Sequence, residues 1–180
     1  MKKALFLDRD GVVNEDRGYV FRQEDFQFKD GIFTLCREAK SKGYLVIIIT
    51  NQSGIARGYF GEEEYEKLNQ WMLGRFSEQG ISIDQVYYCP FHPEEGLGKY
   101  RVDSPDRKPG AGMFLKAQKA HGLDLSRSIA IGDRDGDAEA ARRAGVGRVV
   151  LLEGKYSVQP AEDIRMITDL WEAIPFLQDE

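Results

Sequence analysis

Five short apolar runs, at residues 3–8, 44–50, 83–89, 128–133 and 147–152, constrain the fold of this chain more than any other feature. Several of them, YLVIIIT at 44–50 above all, are hydrophobic throughout and do not alternate. That is the pattern of a strand covered on both faces. Between the runs lie stretches with helical spacing. Ile32, Leu35, Cys36 and Ala39 fall on one face of the first, and Tyr65, Leu68, Met72 and Phe76 on one face of the second. Residues 112–122 and 137–145 read as two further helices. Strands alternating with helices imply an α/β fold, a parallel sheet with right-handed crossovers and helices on both faces. Ligands in such sheets bind beyond the carboxyl ends of the strands.

Length and charge narrow the classes. A chain of 180 residues is expected to form one domain spanning 1–180. A net charge of −5 argues against a nucleic-acid partner. The run YLVIII is too short to cross a membrane, and the four apolar residues before Asp8 are too few for a signal peptide. Cys36 and Cys89 cannot build a disulfide framework. A cytoplasmic protein without membrane attachment, and a monomer, are therefore expected. Trp71 and Trp171 are expected in the core.

The strand ends carry the chemistry. The first run ends on Asp8-Arg9-Asp10-Gly11, the second on Thr50-Asn51-Gln52-Ser53, and the fourth on Gly132-Asp133-Arg134-Asp135-Gly136-Asp137. Asp106-Arg107-Lys108-Pro109 comes just before the helix-like stretch that precedes the fourth run. Two unit charges 4 Å apart repel by about 4 kcal/mol at an effective dielectric near 20. Asp8, Asp10 and Asp133 converging on one rim therefore need a counter-ion or protons. Hard oxygen donors without a His or Cys cluster favour Mg²⁺, which bridges carboxylates to a phosphate. A carboxylate beside the ion stays ionised and can attack phosphorus, while the other can serve as acid and base. The Thr50 hydroxyl, nearby amides and Lys108 would stabilise the transferring group.

These four motifs, in this order, resemble the haloacid dehalogenase superfamily of phosphatases. Within it, FLDRDGVVNEDRGYV, TNQSGIARGYF, YYCPFHP and RKPGAGM resemble the heptose bisphosphate branch. The resemblance implies a Rossmann-like sheet in strand order 5-4-1-2-3 without a separate cap domain, and substrate loops near 14–30, 51–60 and 90–109. It implies Asp8 as nucleophile and Mg²⁺ ligand, and Asp10 as general acid/base that also offers its backbone carbonyl to the metal. Asp133 would complete the ligands, with Asp137 behind them, while Thr50 and Lys108 steady the phosphoryl group. Substrate contacts are implied for Asp16, Arg17, Gly18, Tyr19, Asn51, Gln52, Ser53, Arg107 and Arg134. The implied reaction removes the 7-phosphate of a heptose 1,7-bisphosphate through an aspartyl-phosphate and leaves the 1-phosphate. Arg107 is the expected anchor of the second phosphate, because its planar fork takes phosphate in bidentate fashion.

The chain departs from the branch in one loop. Many members hold a structural Zn²⁺ there through C-x-H and C-x-C. Here Cys89 is followed by Phe91 at the His position, and Ser104 and Asp106 stand at the later Cys positions. A site from Cys89, His92, Asp103 and Asp106 would be a poor one, since carboxylates are weaker structural ligands for Zn²⁺ than thiolates. Structural zinc is therefore not expected, and Phe91, Leu97 and Tyr100 are expected to pack under the loop. Arg134 stands where lysine is common. The alternative enzyme is a histidinol-phosphate phosphatase. A receiver domain would place its acceptor Asp after the third strand and its lysine after the fifth, which is the wrong order here.

Overall fold

The computed structural model describes residues 1–178. Its centre is a six-stranded sheet of β1 (Lys3–Leu7), β2 (Tyr44–Asn51), β3 (Gln85–Cys89), β4 (Ile129–Gly132), β5 (Arg148–Leu152) and β6 (Ile164–Ile167). The strands lie in the order β3-β2-β1-β4-β5-β6, and every neighbouring pair is parallel. The expected order 5-4-1-2-3 is this sheet read from its other edge. The sixth strand is an addition. It escaped the sequence reading because only Ile164 and Ile167 of its four residues are buried, so it makes no apolar run.

The non-alternating runs have a simple cause. β1 lies at the middle of the sheet and all five of its residues are buried. Leu5 and Leu7 face one core with Val46, Ile48, Leu35 and Phe76. Ala4 and Phe6 face the other, with Ile47, Ile49, Phe114 and Ala130. The helices α1 (Ile32–Ser41) and α3 (Glu62–Glu78) supply the first core, while α4 (Gly112–His121) and α5 (Asp135–Ala144) supply the second. Each such Leu or Phe contributes about 1.5–3 kcal/mol by leaving water. A single helical turn, α2 (Ser53–Ala56), follows β2.

Trp71 packs against the first core, its ring 5.4 Å from that of Phe26. Trp171 does not. It is 51% exposed, because the buried face of the segment Leu170–Phe176 belongs to Leu170 and Ala173. The long connections 8–31 and 90–111 meet the β2–α2 turn at the carboxyl ends of the strands, where the motifs collect.

Candidate active site

Three carboxylates meet at this rim. Asp8 directly follows β1, Asp133 directly follows β4, and Asp137 lies in the first turn of α5. One oxygen from each lies within 4.8 Å of the others. The Lys108 Nζ enters between them, 2.9 Å from Asp8 Oδ1 and 2.7 Å from Asp137 Oδ1, and donates to the Ile49 carbonyl at 2.9 Å. Asp137 is already engaged on its other oxygen, which accepts from the backbone N–H groups of Asp133 (3.0 Å) and Arg134 (3.1 Å). Its part is to hold Lys108 and the start of α5.

Asp133 is different. It is 2% exposed, and its Oδ1 is buried without a hydrogen-bond partner among the described residues. A buried ionised oxygen left in this way is costly unless a cation meets it. The donors are all oxygen, which fits Mg²⁺. Gly11 makes the approach possible. Its φ is +97°, and a Cβ there would lie 2.0 Å from Asp133 Oδ2, so a side chain would be strained and would displace the carboxylate.

Asp10 stands apart from this cluster. Its carboxylate accepts from Arg9 Nη2 at 2.9 and 3.2 Å, from Asn14 Nδ2 at 3.0 Å and from Gln52 Nε2 at 3.1 Å. Of the three acids expected to gather round an ion, only Asp8 and Asp133 bring their carboxylates together, and Asp137 joins them. The two opening aspartates, one residue apart, have acquired different partners.

Burial, reinforced by Asp137 and Asp10, raises Asp8 to about 7 against the opposing pull of Lys108. Burial and the Asp8 charge raise Asp133 to about 9. Burial also acts on Asp137, but the Lys108 ammonium and the two N–H donors outweigh it and hold its carboxyl below the usual range. Lys108 itself is raised, since Asp137 and Asp8 outweigh its desolvation. The raised pair binds protons more tightly in the folded than in the unfolded chain. Its stabilisation is complete below 3.8 and is lost as pH rises through about 7 and then about 9. Melting curves of EDTA-treated protein should therefore shift to lower temperature across that window. Added Mg²⁺ should raise the midpoint more at its alkaline end, where no protons compete. A midpoint that rises with pH, or an equal Mg²⁺ effect at both ends, would contradict the assignment.

Over the cluster opens a cavity of about 340 Å³. Of the residues the sequence nominated for substrate contact, Asp16, Gly18, Tyr19, Asn51, Gln52, Ser53, Arg107 and Arg134 line it. Arg17 does not; its guanidinium bonds to Gln27. Thr50 lies buried below, its hydroxyl accepting from Gln52 Nε2 at 2.9 Å and donating to the Asn51 carbonyl at 3.3 Å. The Asn51 amide spans the Lys108 main chain, donating to its carbonyl and accepting from its N–H, both at 3.0 Å. Asn51 and Gln52 thus position Lys108 and Asp10 as well as facing the cavity.

Arg107 is the cation best placed for an anion. Its Nη1 is buried without a partner among the described residues. Burial, then repulsion from Arg57 and Arg134, holds it below the usual guanidinium value. Three guanidinium groups crowding one cavity that Lys155 also lines suit a ligand with a second negative group.

Sequence reasoning missed Arg9, Arg57, Lys155 and Tyr156. Arg9, 2% exposed, donates from one nitrogen to Asp10 and to the Val20 carbonyl at 2.7 Å, tying the loop at Val20 to the segment that follows β1. A charged residue between two aspartates was its only signal. Lys155 and Tyr156 follow β5. Asking what each strand ends on would have found them had the fifth strand been included.

The loop before Lys108 holds itself by hydrogen bonds. Tyr88 Oη and Tyr100 Oη each donate to Glu62, both at 2.8 Å, and the Leu97 N–H donates to the Ala56 carbonyl at 2.9 Å. Phe91 and Tyr100 pack together with centroids 6.2 Å apart, but Leu97 is 62% exposed and does not lie beneath the loop. Burial pushes the Cys89 thiol up, although the Phe91 main chain and the Ser104 hydroxyl bond to it. His92 Nδ1 accepts from the N–H groups of Glu94 (3.1 Å) and Glu95 (2.9 Å). These side chains form no cluster of three metal donors among the described residues.

Known proteins resemble this chain in sequence and in fold. A family profile described as HAD-hydrolase-like matches residues 106–173. A D-glycero-alpha-D-manno-heptose-1,7-bisphosphate 7-phosphatase of Burkholderia mallei is 53% identical over 97% of this chain and 93% of its own. The D-glycero-beta-D-manno-heptose-1,7-bisphosphate 7-phosphatase of Vibrio cholerae is 44% identical over 92% of this chain and 90% of its own. Among solved structures, the D,D-heptose 1,7-bisphosphate phosphatase of B. bronchiseptica, complexed with magnesium and phosphate, superposes with a TM-score of 0.82. It is 26% identical and covers 97% of each chain.

Proposed function

The chain belongs to the heptose-1,7-bisphosphate 7-phosphatase family of HAD-like hydrolases, and on that premise we propose that it removes the 7-phosphate of D-glycero-D-manno-heptose 1,7-bisphosphate. The product is the heptose 1-phosphate, which serves nucleotide-activated heptose synthesis in the cytoplasm. The observation that carries this reading is the separation of the opening aspartates. Asp8 bonds to Lys108 beside the orphaned Asp133 oxygen, and Asp10 is held by Arg9, Asn14 and Gln52.

Asp8 and Asp133 would hold Mg²⁺, with the Asp10 carbonyl. Mg²⁺ held there would supply positive charge to keep Asp8 ionised and to offset charge on the phosphoryl group. The Asp8 carboxylate attacks phosphorus and forms the aspartyl-phosphate. Asp10 gives a proton to the leaving sugar oxygen and afterwards takes one from the attacking water. Lys108, fixed by Asp137 and the Asn51 clamp, offsets charge on the transferring group. Arg107 binds the distal phosphate.

Phosphate release from the heptose bisphosphate should greatly exceed release from histidinol phosphate at equal concentration. Arg107→Ala should lower kcat/KM on the bisphosphate by about a hundredfold, the scale of a lost charge-assisted bidentate contact. On p-nitrophenyl phosphate its loss should be much smaller. Equal losses would remove the anchor. The loop of Cys89 and His92 is held without zinc in this reading, so metal analysis should find far less than one zinc per chain; a stoichiometric ion would refute that part.

A further inference from the structure

Part of the cavity wall comes from the connection between β5 and β6, a segment outside all four motifs. Tyr156 bridges two elements there. Its hydroxyl donates to Asp16 Oδ2 at 3.0 Å and accepts from Arg134 Nη2, while the Arg134 guanidinium lies over its ring, 3.7 Å from the centroid. Lys155 Nζ lies 3.2 Å from Asp16 Oδ1 and donates to the Asp16 carbonyl at 3.3 Å. The Gly18 N–H fills the remaining place on Asp16 Oδ1 at 3.0 Å. Asp16, with a side chain 9% exposed, is therefore bonded to protein donors on both carboxylate oxygens. Gly18, its N–H donor, and Lys155, Tyr156 and Arg134 all line the cavity.

From this we infer that Tyr156 and Lys155 determine how the distal phosphate is recognised, Tyr156 as a positioning residue for Arg134 and Lys155 as a further cation facing that phosphate. The inference rests on the proposed bisphosphate substrate and deepens it. An arginine on a flexible stem gains little from a phosphate unless something fixes its planar fork. Here a ring face below the guanidinium and a hydroxyl at its edge fix it. The same hydroxyl passes the constraint to Asp16, and so to the loop bearing Gly18 and Tyr19. Asp16 acts in this scheme by joining the two loops, with each carboxylate oxygen already bonded to a protein donor.

The test compares Tyr156→Phe, which removes the hydroxyl and keeps the ring, with Tyr156→Leu, which removes both, and with Lys155→Met. Each is assayed on the heptose bisphosphate and on p-nitrophenyl phosphate, with melting temperatures recorded. The expected result is a KM for the bisphosphate raised about tenfold by Tyr156→Phe and further by Tyr156→Leu, the scale of one to two lost polar contacts. The loss in kcat/KM on the bisphosphate should exceed that on the monoester at least fivefold for all three variants. A merely structural role would lower both activities together, along with the melting temperature, and that outcome overturns the inference. So does a bisphosphate KM that does not move. If wild-type protein turns over the monoester but not the heptose bisphosphate, the proposed substrate fails, and this assignment falls with it.

Discussion

Asp8→Asn should lower kcat by about 10,000-fold or more, since a carboxamide cannot attack phosphorus and no other carboxylate is placed to replace it. Asp133 is buried against Gly11, Asp137 is committed to Lys108, and Asp10 is held by three side chains. The substitution should leave the fold intact. Asparagine keeps the shape of the side chain, and Lys108 retains Asp137. In metal-free protein the change also removes one of the like charges that raise Asp133 to about 9. The variant should therefore melt no lower than the parent in EDTA, and Mg²⁺ should stabilise it less. A variant that kept even a hundredth of the parent turnover would contradict the role of Asp8.

The second large effect concerns Lys108, where stability and catalysis depend on the same atom. Lys108→Met keeps the length of the stem and deletes the charge. Asp8 and Asp137 would then face each other inside the protein without their shared partner. Breaking a buried pair in this way costs about 3–5 kcal/mol. Urea unfolding should show that loss in EDTA, together with a fall in kcat of about a thousandfold from the missing charge on the transferring phosphoryl group. Adding Asp137→Asn should restore part of the stability, because one uncompensated carboxylate is gone, and none of the activity. Recovery of both would show that Lys108 acts only as scaffold.

How far the sequence revealed this depended on the kind of information each element carries. β1, β2 and β4 are buried on both faces and so were written as continuous apolar runs. The acids and the lysine could be read because strand ends in a parallel sheet share one rim. β6 could not, since two of its four residues face solvent. The partition of Asp8 from Asp10 was legible as chemistry, but its means were not. Arg9 and Asn14 reach Asp10 from its own segment and Gln52 from the turn after β2, and residue types alone do not mark that convergence. Arg17 lies in the substrate loop by sequence, yet the turn at Gly18 and the left-handed Tyr19 at φ 51° leave it bonded to Gln27 outside the cavity. Trp171 was misplaced for a related reason. A large apolar residue suggests core, whereas the segment that bears it buries its neighbours instead.

The most direct test is chemical. Wild-type protein turning over the heptose bisphosphate with Mg²⁺ is quenched in acid, reduced with borohydride to convert an acyl-phosphate into an alcohol, and digested for mass spectrometry. Reduction should be found at residue 8 alone, only when Mg²⁺ and substrate are both present. Turnover that proceeds with residue 8 unreduced, or reduction at Asp10 or Asp133 instead, would contradict a phosphorylated Asp8.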